Sequence, residues 1–246
     1  MKQTVLFVVA FGALVSAQRG AGPPQTPKAA APIDLTGYWV SIVSEDWRYR
    51  MVTPAKGDYQ GVPMTPEATK IADAWNPEAD TAAGNQCRSY GAPAIMRVPG
   101  RVHITWDGDR AFKLEADAGT QTRNLRFDQP ASKAEPSWQG DSLAEWEMQN
   151  AGRGAAAGAP RRGSLKVTTT NLKAGYLRKN GVPYSEDAKL TEYFDVVRER
   201  SGDELLVVTS VVDDPKYLRQ PFMLSTQFKK QADAKGWDPT PCSSSW

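Results

Sequence analysis

The chain has 246 residues, 40% hydrophobic and 24% charged, with 30 basic and 28 acidic side chains. That balance suits a globular protein, and a net charge of +2 falls short of the basic excess of a nucleic-acid or polybasic membrane binder. Two cysteines exclude a dense disulfide scaffold and a multi-cysteine metal site, and the single histidine, His103, excludes the His-rich zinc sites. No metal, no cofactor and no nucleic-acid partner is expected.

Residues 1–17 have the three parts of a secretory signal. Lys2 supplies a positive start, Thr4 to Leu14 is apolar, and Val15-Ser16-Ala17 offers small residues for cleavage. The apolar run, about 11 residues, is shorter than the ~20 that a membrane span needs. A periplasmic or secreted protein is expected, with no membrane anchor after cleavage. Residues 18–33 are rich in Ala, Pro and Gly and read as a flexible lead with no core to bury. Residues 34–246 read as one domain, interrupted at 151–163 by an Ala/Gly/Arg-rich flexible loop.

Alternation of apolar and polar residues marks strands along this domain. Residues 38–43 place Tyr38, Val40 and Ile42 on one face. Residues 47–51 place Trp47, Tyr49 and Met51 opposite Arg48 and Arg50. Thr65-Pro66 is a helix start, an N-cap followed by proline at the first helical position, and predicts a short helix to Trp75. Residues 101–106 alternate Val102, Ile104 and Trp106 with Arg101, His103 and Thr105. Asp107-Gly108 then signals a hairpin into 110–114. Further strands are predicted at 120–127, 143–148, 164–172, 191–198, 204–212 and 222–230. The fold class is therefore all-β: a single antiparallel barrel of about eight to ten strands with one short helix.

Gly37-x-Trp39, on the first strand after a short lead, resembles the lipocalin signature. In lipocalins the glycine permits a tight turn and the tryptophan plugs one end of the barrel. Thr191-Glu192-Tyr193 is similar to the lipocalin Thr-Asp-Tyr motif, with Glu in place of Asp. The arginine that the family carries near the end of its last strand has no match. The resemblance implies a lipocalin-like (calycin-type) barrel with Gly37 and Trp39 in structural roles. A second resemblance, over roughly 84–230, is to a broad group of exported bacterial proteins of unassigned function. It rests on Cys87…Gly91-Ala92-Pro93…Pro99-Gly100-Arg101, Trp138-x-Gly140-Asp141 and Asp213-Asp214-Pro215-Lys216-Tyr217. It implies fold and export and supplies no catalytic residues.

In an oxidising compartment Cys87 and Cys242 are expected to form a disulfide. His103 lacks an orienting neighbour and reads as a surface or structural residue. Glu145 and Glu147 share a strand face, and Asp213-Asp214 sits at a turn; solvated positions are expected for both pairs. The aromatic residues are the richest resource. Trp47, Tyr49, Trp106, Phe112, Trp146, Tyr193 and Phe222 are candidate ligand contacts, with Arg48, Arg97, Glu145 and Glu192 as polar handles. The expected function is an exported binding protein for a small apolar ligand in a barrel cavity. The alternatives are a metal-free barrel-pocket enzyme of cyclase, isomerase or hydratase type, and an envelope interaction protein with a filled core. The barrel interior separates the three: open and apolar, open with a buried carboxylate, or filled.

Overall fold

The computed structural model describes residues 25–128, 135–148 and 162–245. The signal segment 1–17, the start of the lead and residues 151–161 of the central loop lie outside the described residues. Eleven strands are present: β1 (Gly37–Ile42), β2 (Arg101–Asp107), β3 (Ala111–Ala116), β4 (Gln121–Arg126), β5 (Asp141–Met148), β6 (Gly163–Thr170), β7 (Gly175–Tyr176), β8 (Pro183–Tyr184), β9 (Lys189–Arg198), β10 (Glu204–Asp213) and β11 (Phe222–Gln231). Nine of them close a barrel in the order β1-β11-β10-β9-β6-β5-β4-β3-β2, and β7 and β8 form a separate small sheet. The first strand completes the ring by pairing with both β2 and β11.

The single all-β barrel expected from alternation is what forms, and three details differ. The contact of β4 with β5 is parallel, with Leu125 opposite Ser142 and Arg126 opposite Leu143. Among the described residues there are four short helices rather than one: α1 (Trp47–Arg50), α2 (Pro66–Asp73), α3 (Pro77–Ala82) and α4 (Ala92–Ile95). Residues 47–51, expected to be a strand, form the single turn α1 and its cap. Over five residues a period of 2 and a period of 3.6 are hard to separate, and here the helical turn swings Arg50 inward. At α2 the sequence signal is accurate: the Thr65 hydroxyl accepts from the Ala68 N–H at 3.2 Å, and Pro66 takes the first position. The helix stops at Asp73, and Asn76-Pro77 repeats the same device to start α3.

The barrel has two unlike ends. The turn end carries the β2–β3 and β9–β10 hairpins. Trp106, Phe112, Phe127 and Trp146 pack together there, with ring centroids 3.8–6.4 Å apart. Residues 25–33, read from sequence as part of a flexible lead, lie across this end. The Trp146 indole N–H donates to the Pro27 carbonyl at 2.8 Å, and the Lys28 N–H donates to the Asp109 carbonyl. Trp39 is fully buried nearby, and its indole donates to the Leu35 carbonyl at 2.9 Å. Gly37 has φ +113°, a backbone shape that favours glycine. The ammonium of Lys230, on the last strand, lies 5.2 Å from the Trp39 ring. The closed nine-strand barrel agrees with the lipocalin resemblance in architecture.

The opposite, cap end is covered by the helices, the β7–β8 sheet and a second apolar cluster that includes Met64, Leu177, Tyr184, Leu190, Val212 and Phe222. Cys87 and Cys242 are bonded, with Cα atoms 5.1 Å apart, which ties the C-terminal tail to this end. Among the described residues no helix is long and apolar enough to cross a membrane.

Candidate functional site

The inward faces of the barrel strands meet in one core that includes Ile104, Phe112, Leu114, Leu165, Phe194 and Phe228, all almost fully buried. The apolar interior is therefore occupied by side chains. Nearer the cap end the filling turns polar. Arg123 grips Glu192 with both terminal nitrogens, at 3.1 and 2.5 Å, and also donates to Thr169 at 3.3 Å, whose hydroxyl lies 2.8 Å from that of Ser142. The Glu192 carboxylate is thus held by a charge partner inside the wall and is not a free acid or base.

A cleft of about 580 Å³ opens at the rim of the cap end. It lies between α1, the loop around Gln60-Gly61, Arg178 and the start of β11; Arg48, Tyr49, Arg178 and Phe222 are on its walls, and so are the carboxylates Glu45 and Asp46. Strand pleating explains why β11 contributes both kinds of surface here: Phe222 and Leu224 lean into the rim while Met223, Ser225 and Gln227 face out.

Arg48 and Arg178 line this cleft, and Arg50 and Arg97 stand behind it, four arginines in all. Three have carboxylates of their own: Arg50 bonds Glu45, Arg97 reaches Asp46 at 3.2 Å, and Arg48 lies 3.7 Å from Asp58. Among the described residues Arg178 makes no ion pair, and Asp46 and Asp58 act on it only from farther away. Its guanidinium stacks 4.0 Å from the Tyr49 ring and donates to the Gln60 carbonyl at 2.8 Å, and its Nε–H is buried without an acceptor. Only 4% of Arg178 is exposed. Burial lowers its affinity for the proton, as it does for Arg50. Arg97 is pulled down to about 10, first by burial and then by the neighbouring Arg178. Such a guanidinium is suited to bind an anion that brings its own negative charge.

The structure sorts the sequence candidates into different places. Arg48, Tyr49 and Phe222 are brought together in the cleft, and Arg97 stands behind it, 5.8 Å from the Phe222 ring. Trp47 is on α1 but 60% exposed. Trp106, Phe112 and Trp146 belong to the packed turn end, away from the cleft. Tyr193 alternates with buried Glu192 and Phe194 and so faces outward. Glu145 is also outside, paired with Lys166 at 2.8 Å. His103 stacks on Tyr38 at 4.0 Å on the outer wall. Asp214, expected to be solvated, is buried; its carboxylate accepts from the Ser185 N–H and hydroxyl and holds the 214–217 turn. That bonding assigns the Asp-Asp-Pro-Lys-Tyr motif a structural role.

Comparison with family models, with curated proteins and with solved structures finds no match. The residues that sequence reasoning missed are Arg50, Arg123, Arg178 and Lys179. Arg50 falls on the face opposite Trp47, Tyr49 and Met51 when residues 47–51 are read as a strand, and they form a helical turn instead. Arg123 sits among polar neighbours, Thr122 and Asn124, that conceal its inward position. Arg178 and Lys179 lie in the β7–β8 connection, where no periodicity operates.

Proposed function

We propose that this is an exported binding protein for a small monoanionic ligand, held in the cap-end cleft and not in the barrel centre. The reading keeps the small-molecule binder expected from sequence, moves its site to the rim and gives its ligand a charge. One observation carries it: Arg178, a buried guanidinium with no carboxylate of its own, forms a wall of an open cleft. One negative charge completes the set, since the other three arginines already have partners. Tyr49 and Gln60 would orient the anion, and Phe222 and Met223 would take an apolar part of the ligand. Export is supported by the signal-like residues 1–17 and by the disulfide. A calycin-type barrel is supported by the Gly37 and Trp39 arrangement. The enzyme alternative finds less support, because Glu192, the carboxylate beside an arginine inside the described barrel, is already paired.

Isothermal titration with benzoate and with benzyl alcohol tests the proposal. Benzoate should bind and the alcohol should not. A hydrogen bond to a charged group contributes about 1.5–3 kcal/mol, so Arg178→Met should weaken benzoate by about 10- to 150-fold. Equal binding of the alcohol, or unchanged benzoate affinity in the variant, would refute it.

A further inference from the structure

Behind the cleft wall lies a second, much smaller space of about 20 Å³. Arg50, Arg97, Arg178 and Lys179 line it, and no carboxylate does. All four are deeply buried, with 2, 6, 4 and 5% of their surface exposed. Glu45 and Asp46 reach Arg50 and Arg97 from outside this lining. Two N–H groups of these lining residues, Arg50 Nη2 and Arg178 Nε, are buried without an acceptor among the described residues. We propose that this space is a binding site for a monatomic anion, a halide such as chloride.

The size and the chemistry agree. About 20 Å³ holds one particle of roughly water size. A carboxylate, sulfate or phosphate group has several heavy atoms and does not fit. A water could accept from the two N–H groups, but it would bring no charge and would turn its own protons toward a cationic wall. A halide accepts from every direction and neutralises one of the converging charges. Burial pulls Lys179 down to about 6, while its Nζ donates to the Tyr90 hydroxyl at 2.6 Å. Arg97 is lowered to about 10, first by burial and then by Arg178, so both groups hold their protons less firmly than usual. This site is distinct from the organic-anion cleft in ligand and in volume, although Arg178 and Tyr49 form part of both walls.

The test uses the intact, disulfide-bonded protein with no organic acid present. Thermal unfolding is followed at pH 7 and constant ionic strength while sodium nitrate, whose anion has four heavy atoms, is replaced by sodium chloride or sodium bromide. A ligand that binds only the folded state should raise the midpoint by about 3–5 °C for each tenfold rise in halide above its dissociation constant. Arg178→Met should abolish the shift. Arg48→Ala should weaken benzoate and leave the halide shift intact, which separates this site from the cleft. If Arg178→Met does not fold, crystals of the natural protein grown in bromide decide. An anomalous peak between Arg50 and Arg178 supports the site. Equal midpoints in all three salts, or an ordered water with no anomalous signal, would overturn it.

Discussion

Removing Glu192 should destabilise the barrel far more than any surface charge. Glu192 is fully buried and Arg123 is 2% exposed. Glu192→Leu would leave the guanidinium inside the barrel with Thr169, at 3.3 Å, as its remaining side-chain acceptor. The Arg123 Nε–H already lacks a partner, so no slack exists to absorb the loss. Breaking one side of a buried ion pair costs about 3–5 kcal/mol, whereas replacing both partners by apolar groups is neutral or stabilising by about 1–4 kcal/mol. The single variant should therefore lose a large share of a total stability of about 5–15 kcal/mol. Arg123→Met combined with Glu192→Leu should recover most of it. Urea unfolding followed by tryptophan fluorescence, with the disulfide intact, measures both, and an unchanged slope would show that the unfolded state is the same. A loss below about 1 kcal/mol in Glu192→Leu, the range of an exposed pair, would refute the reasoning.

Three further outcomes are expected. Cys242→Ser should lower stability by up to about 5 kcal/mol on the loop-entropy model, since the bond closes 155 residues; denaturant midpoints with and without the bond check this. Phe112→Ala should cost about 3–5 kcal/mol, because the ring is fully buried among Trp106, Phe127 and Trp146; equilibrium unfolding reads the loss directly. Lys179 binds a proton less readily folded, at about 6, than unfolded. Between about 6 and the ordinary lysine range near 10.4 the unfolded chain therefore holds more protons, and stability contributed here rises with pH. Lys179→Met should gain most relative to the natural protein at or below pH 6 and little near pH 10, measured as the difference between their unfolding midpoints.

The strands that sequence alternation identified best are those with one buried face and a tight turn beside them. Residues 101–106 become β2, the Asp107-Gly108 turn forms with Gly108 at φ +63°, and 204–212 becomes β10. Alternation carries no information about strand direction, so the parallel β4–β5 contact was not legible. Nor were β7 and β8, since two residues hold no period. The candidate site was only half visible. Arg48, Tyr49, Arg97 and Phe222 were named for their chemistry, but their meeting depends on α1 being helical. Arg178 joins them from 81 residues beyond Arg97, where it shares the small void, and only the folded chain shows that neighbourhood.

The position of β1 between β2 and β11 governs the order of assembly. A chain emerging from its amino end releases β1 first and β11 last, and the ring has no closing partner until almost the whole sequence is out. The β2–β3–β4 and β9–β10–β11 meanders join neighbours in sequence and can form as they appear. Until then β1 presents an open edge, and Trp39 and Lys230 stand at opposite extremities of an unfinished sheet. Closure of the barrel, seating of Trp39 under Lys230 and capture of the tail by Cys87 thus belong to the last stage of one folding programme.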